Sequence, residues 1–179
     1  MINWQPTLEN DLVKLAPLHA RDFERLYEAA SDPLIWEQHP QPDRYQRDAF
    51  QKGFFEGALA CHTAFLISEK ATGAVMGSTR FYDIKPDSSS VAIGFTFLAR
   101  SYWGGTYNFA CKKLLLDYAF QHVTDVLFHI GVNNLRSQKA LLRLGGIKLG
   151  AVDFYQTGNG ISHFEYVIRK EEWEKTLPS

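Results

Sequence analysis

Apolar positions along the chain recur with two periods, and the changes of period mark out the elements. From Asp11 to Ala16 apolar and polar residues alternate, which predicts a short strand. From Leu18 to Ala30 the apolar residues Phe23, Leu26, Tyr27 and Ala30 fall three and four apart, which predicts an amphipathic helix. The proline-containing stretch from Asp32 to Pro42 breaks that pattern, and a second helix is predicted from about Arg44 to Ala60. Strands Thr63 to Ser68 and Val75 to Tyr82 flank the turn pair Thr72-Gly73 and read as a hairpin. A loop at Lys85-Pro86-Asp87 leads to strand Val91 to Leu98, with Val91, Ile93, Phe95 and Phe97 on one side and Ala92, Gly94 and Thr96 on the other.

A long helix follows the segment Arg100 to Thr106 and runs to about His122, with Lys112, Lys113, Asp117 and Gln121 predicted as its solvated face. Strand Val126 to Val132 precedes a shorter helix from about Arg136 to Leu144, which Gly145-Gly146 stops. Two last strands, Lys148 to Gln156 and Ile161 to Ile168, flank the turn sequence Gly158-Asn159-Gly160. This order predicts an α/β (α+β) layer architecture, a mixed, largely antiparallel central sheet flanked by helices, in one domain over residues 1–179.

Composition narrows the function classes. With 45% hydrophobic and 14% aromatic residues, the chain has ample material for a packed core. The 19 Lys+Arg against 20 Asp+Glu leave no basic excess for a nucleic-acid or anionic-membrane surface. The apolar run from Val91 to Ala99 is about half the length that spans a bilayer, and Glu9 and Asp11 stand where a signal peptide has its apolar segment. A cytoplasmic protein without nucleic-acid or membrane partners is therefore expected. Cys61 and Cys111 lack metal-site spacing, so no metal is expected. Neither has a histidine at a motif distance that would make it an acyl-enzyme nucleophile.

The segment from Val91 to Phe120 carries the chemistry: a strand, a Gly104-Gly105 loop and a helix. The first amides of a helix lack intrahelical partners, and the helix dipole favours an anion beside them. Two glycines there let a phosphate approach the backbone. The loop has no Gly-Lys-Ser/Thr, as a Walker loop would, and no Gly-x-Gly-x-x-Gly. Taken alone, the pair is weak evidence and reads first as a structural turn.

The opening Leu15-Ala16-Pro17-Leu18 through Asp22, with Leu26-Tyr27 and Ser31-Asp32-Pro33, is the first of four segments that, in their order, resemble the GNAT acyltransferases, and most of all their RimJ/RimL-type branch, which acetylates protein N-terminal amines; it is similar to the branch's first strand and helix. Ile93-Gly94-Phe95 and Tyr102-Trp103-Gly104-Gly105 resemble its acetyl-CoA strand and pyrophosphate loop. Asn134, Ser137 and Leu144-Gly145 resemble its Asn-x-x-Ser segment, and Glu172-Trp173 its C-terminal signature. The chain departs from the family loop at Thr106 and Asn108, where glycine or alanine is usual, at Phe109-Ala110, where the branch often has Glu, and near Leu141, where many members have Tyr.

The resemblance implies acetyl-CoA as cosubstrate and an amine acceptor, a protein N-terminus or a small amine, attacking the thioester directly. It implies a cofactor-binding set of Phe97, Leu98, Arg100, Trp103, Gly104, Gly105, Thr106, Tyr107, Asn108, Asn134 and Ser137. Ser137 is expected to protonate the departing thiolate, and its spacing to Leu141 and Leu144 turns it inward. Glu165 is the expected base ahead of Asp83, His129 and His163, since a carboxylate near the sheet centre needs a reason. His39 and His62 are expected near the acceptor entrance. Among Trp36, Tyr45, Phe50, Phe54 and Phe55, one or two are expected to line the acceptor groove. A monomer or homodimer fits this reading. The alternatives are a catalytically silent acyl-CoA-binding module and, further off, a nucleotide-binding transferase.

Overall fold

The computed structural model describes residues 2–84, 89–155 and 162–176. One eight-stranded sheet organises them, in the order β1-β2-β3-β4-β5-β6-β8-β7. The strands are β1 (Leu8–Glu9), β2 (Val13–Pro17), β3 (Ala64–Glu69), β4 (Val75–Tyr82), β5 (Ser90–Leu98), β6 (Asp125–Gly131), β7 (Ile147–Val152) and β8 (His163–Arg169). Neighbours run antiparallel except β5 and β6. That parallel pair is joined by helix α4 (Tyr107–Ala119), as a parallel connection requires a crossover.

Both faces of the sheet are covered, and the alternation along β3 shows how. Phe65 and Ile67 pack under α4 with Val13, Leu15, Phe81 and Leu115. Ala64 and Leu66 point the other way, into a second cluster with Leu26, Trp36, Phe50, Phe54 and Phe97. That second cluster is roofed by α1 (Phe23–Ala30) and the segment from residue 42 to 60. The predicted single helix Arg44 to Ala60 is in fact broken. A 3-10 turn at Pro42–Tyr45 is followed by α2 (Arg47–Phe50), a π turn at Gln51–Phe55 and α3 (Glu56–Ala60).

Two further features went beyond the periodicity. The short strand β1 and the C-terminal helix α6 (Lys170–Glu174) are too short to carry a period. Strand β8 inserts between β6 and β7, pairing His129 with Glu165 and Gly131 with His163. The last predicted turn, Gly158-Asn159-Gly160, and the loop Lys85-Pro86-Asp87 lie outside the described residues.

The site is shaped where β5 leaves its neighbours. Its pairing with β6 covers only Ser90 to Ala92 against Asp125 to Leu127, and the two strands then separate. On the other side, its register with β4 shifts between Ser78 and Arg80, where Phe95 takes a left-handed φ of 51°. Such a bulge bends a strand and re-aims its side chains. Beside it, Gly77 lies so close to β5 that a Cβ would stand 1.9 Å from the Phe97 carbonyl oxygen.

Candidate active site

The gap between β5 and β6 is a cleft of about 150 Å³, comparable to cavities that take up a benzene-sized ligand. Its walls come from both strands (Gly94, Phe95 and Thr96; His129 to Gly131), from α4 (Asn108 and Lys112) and from α5 (Leu135–Arg143) through Ser137 and Leu141. Trp36, His39, Arg44 and Phe54 close it from the second layer, and His163 from β8.

The Gly104-Gly105 loop lies at the head of α4. Gly104 has φ +73°, a left-handed conformation that L side chains rarely adopt, and neither glycine would bring an added Cβ within 4 Å of another atom. Thr106 takes ordinary helical angles at the N-cap and makes no side-chain cap bond. Its side chain therefore leaves the first amides open, and the loop does not need the glycine usual at that position.

Of the residues expected to bind cofactor, Asn108, Asn134 and Ser137 come together on the cleft wall. Asn134 caps α5, its Oδ1 accepting from the Ser137 amide at 3.2 Å. Other side chains in the set are engaged elsewhere. Phe97 packs its ring on Trp36, Phe50 and Phe54, and Leu98 is buried in the core under α4. The Arg100 guanidinium is ion-paired with Asp32. Trp103 donates its indole N–H to the Leu98 carbonyl at 2.8 Å, under the Arg136 guanidinium. Tyr107 donates its hydroxyl to Glu69 at 2.7 Å. None of these five residues borders the cleft.

Lys112 corrects the reading of α4. Lys113 and Asp117 do face out, paired at 2.6 Å. Lys112 instead lies 7% exposed inside the cleft, donating to Thr96 Oγ1 at 2.8 Å, with the Phe128 ring 5.5 Å away. It falls three, four and seven residues before Leu115, Leu116 and Ala119, which is the apolar stripe; that spacing was visible in the sequence. Burial pushes its ammonium down to about 8.

Glu165 is not a free carboxylate. It accepts from His129 Nε2 at 2.9 Å, and His129 Nδ1 lies 2.6 Å from the Tyr82 hydroxyl. A carboxylate can only accept, so Nε2 carries hydrogen and, in the neutral ring, Nδ1 accepts from tyrosine. Tyr82, His129 and Glu165 thus form a chain from β4 through β6 to β8. Tyr82 is held neutral, since burial raises its hydroxyl above the usual range. Its ring abuts Gly94, where a Cβ would come within 2.8 Å of Cε1.

The remaining candidates separate cleanly. His163 borders the cleft, and its imidazole is pushed down to about 4 by burial and by His129. His39 borders it too, pushed down to about 3 by burial and by the Arg44 charge. His62 is exposed with a left-handed φ, and Asp83 terminates β4; neither borders the cleft. Trp36 and Phe54 line it, whereas Tyr45, Phe50 and Phe55 do not. Burial raises the Cys111 thiol to about 12, which leaves it an inert core residue. No group of three or more His, Cys, Asp or Glu side chains placed to hold a metal occurs among the described residues, and no described helix is long and apolar enough to cross a membrane.

Residues 13–147 match the family model of the acetyltransferase (GNAT) domain. The chain belongs to the GNAT acetyltransferase family. Solved GNAT structures share the fold. A GCN5-related N-acetyltransferase from Brucella melitensis is 20% identical, with a TM-score of 0.79 over 95% of this chain and 81% of that one. An acetyltransferase from Agrobacterium tumefaciens is 20% identical, with a TM-score of 0.70 over 92% and 95%. Mycobacterium smegmatis RimJ, solved with CoA-disulfide, is 19% identical, with a TM-score of 0.70 over 99% and 91%. No curated protein matches the sequence. In this GNAT domain the sheet gap opens along β5 and the glycine loop follows between β5 and α4.

Proposed function

We propose that this GNAT domain is an acetyl-CoA-dependent N-acetyltransferase acting on an amine acceptor by direct attack on the thioester. The observation that carries the reading is the open strand gap, β5 from β6 after Ala92, in a chain whose next helix opens on the unobstructed Gly104-Gly105 loop. Acetyl-CoA supplies the activated acetyl group. The loop amides and the α4 dipole hold its pyrophosphate, a task a nearly neutral chain has to give to local groups. The β5 backbone beyond Ala92 has no partner strand on the β6 side and offers its polar groups to the pantetheine arm. Phe97, Leu98, Arg100, Trp103, Thr106 and Tyr107 support this path through main-chain positions, and Asn108 and Asn134 through side chains.

In the transfer the acceptor's nitrogen lone pair forms the C–N bond as the C–S bond breaks. Ser137, on the cleft wall, gives its proton to the departing thiolate and is reprotonated from solvent, to which His129 releases the proton it gains from the amine. The amine's proton leaves through Tyr82, which passes its own proton to His129 Nδ1 as it takes up the new one. Glu165 holds the imidazole in that tautomer and stabilises the imidazolium, so it is a positioning residue for the base. Lys112 adds a donor beside Thr96 for a carbonyl oxygen in the cleft.

Calorimetric titration with acetyl-CoA tests the loop. Gly104→Glu, which sets a carboxylate and a strained Cβ at the helix head, should weaken binding sharply; unchanged affinity refutes the loop's role. Release of free thiol from acetyl-CoA in the presence of an amine panel separates transferase from silent binding module. A protein N-terminus, as the likeness to RimJ-type sequences suggests, and small amines both belong in that panel.

A further inference from the structure

Among the described residues Arg44 has no counter-ion. It is 4% exposed, yet no carboxylate among the described residues lies within ion-pair distance. One amino group, Nη2, donates to the Gly53 carbonyl at 2.9 Å, an oxygen contributed by the π turn. The other, Nη1, stands 3.3 Å from His39 Nε2. The Nε–H is buried and has no partner. Asp43 and Asp48 share an outer groove with Arg44 but do not pair with it.

A second guanidinium compounds the imbalance. Arg80, on β4, also has a buried Nε without a partner, and it lies 3.4 Å from the centre of the Phe95 ring that borders the cleft. It is near enough that its charge lowers Arg44 further, after burial. The cleft wall itself carries two cations, Arg44 and Lys112, beside the neutral imidazoles of His39 and His163, and no Asp or Glu; the Glu165 carboxylate stands behind it, on His129. Buried cations are normally paired, and a buried orphan N–H needs an explanation. The aromatic rings of Trp36 and Phe54, 5.7 and 5.5 Å from the guanidinium carbon, hold the group in place without neutralising it.

Resting on the transferase reading above, we infer that the acceptor amine of this cleft also carries an anionic oxygen group, a carboxylate or a phosphate, and that Arg44 binds it through the free Nε–H. The cofactor's phosphates have their own amides at the head of α4, whereas Arg44 enters the cleft from the opposite layer, beside Trp36 and Phe54. A cation-lined cleft also disfavours an ammonium and so favours the free amine that must attack. A simple cationic amine gains nothing from such walls; an anionic one is drawn in by them.

Matched acceptors test this: an aminocarboxylate, its carboxamide, an aminoalkyl phosphate and a short peptide with an uncharged N-terminal residue, each with acetyl-CoA and a thiol readout. The wild-type protein should prefer the anionic acceptors by about tenfold or more in kcat/KM, since a hydrogen bond to a charged group is lost with the amide. Carboxylate against phosphate identifies which anion fits. In Arg44→Gln the preference should fall towards one. Arg44→Lys keeps the charge without the planar fork and should retain part of the preference, with circular dichroism checking that both variants fold. Equal or better use of the carboxamide or the peptide by the wild type overturns the inference alone. Binding of acetyl-CoA without thiol release from any acceptor overturns the transferase reading and this inference with it.

Discussion

Lys112 donates to Thr96 Oγ1 at 2.8 Å, and Thr96 in turn lies 2.7 Å from Thr79 Oγ1, so the one acceptor the buried ammonium finds among the described residues is already shared. Burial holds Lys112 near 8 in the folded chain, against 10.5 for an exposed lysine. The unfolded chain therefore binds the extra proton between those values, and stability rises with pH across that window. Below about pH 8 the charged ammonium costs the fold about 3 kcal/mol. Lys112→Met is expected to be more stable than wild type in urea at pH 7. The gain should shrink towards pH 10, while acetyl-CoA turnover falls. A variant less stable at pH 7 would contradict this.

His39 and His163 act on stability in the opposite pH direction from a histidine held in a salt bridge. Both stay neutral when folded, near 3 and 4, while an unfolded histidine titrates near 6.5. Stability is then full above about pH 6.5 and is lost as pH falls through those folded values. His163→Asn should remove part of that acid loss, by about 2 kcal/mol at pH 4.5, as read from denaturation midpoints at the two pH values.

Gly77 allows β4 and β5 to meet. With a Cβ 1.9 Å from the Phe97 carbonyl oxygen, the strands have to part at the bulge that shapes the cleft. Gly77→Ala is expected to cost about 3 kcal/mol or more in thermal or chemical unfolding, the range of overpacked cores. Gly73→Ala sits in open space and bears only the strain of its left-handed φ, so it should cost about 1 kcal/mol.

The Tyr82–His129–Glu165 chain predicts a kinetic signature. Glu165→Gln should lower kcat by about a hundredfold, the lower range for general base catalysis, with little change in KM for acetyl-CoA. It should also move the acid limb of the pH–rate profile, a shift that a purely structural role would not produce. An unchanged profile would remove Glu165 from the proton path.

Ser137→Ala isolates the leaving-group step. Its amide bond to Asn134 survives the substitution, so helix α5 stays capped. Turnover should fall about tenfold or more while acetyl-CoA binding, measured by calorimetry, is retained. A wild-type rate in the variant would assign the proton to another donor or to water.

The periodicities of the chain determined the order of elements, the mixed sheet with helices on its faces, the glycine loop before α4 and the inward face of α5, because those follow from neighbours within a few residues. The inward turn of Ser137 and the place of Gly104-Gly105 at the head of α4 were legible for that reason, while Asn134 stood out only through the likeness to the family's Asn-x-x-Ser segment. Lys112 was legible too, since it falls in register with Leu115, Leu116 and Ala119, although a charged residue reads most simply as solvated. Tertiary structure alone decided the rest. The insertion of β8 beside β6 sets Glu165 opposite His129, 36 residues away, and turns a lone carboxylate into the end of a chain. The separation of β5 from β6, the bulge at Phe95 and the π turn that aims the Gly53 carbonyl at Arg44 arise from packing between layers. No local pattern encodes which buried cation lacks a partner, because that depends on every element that could have supplied one.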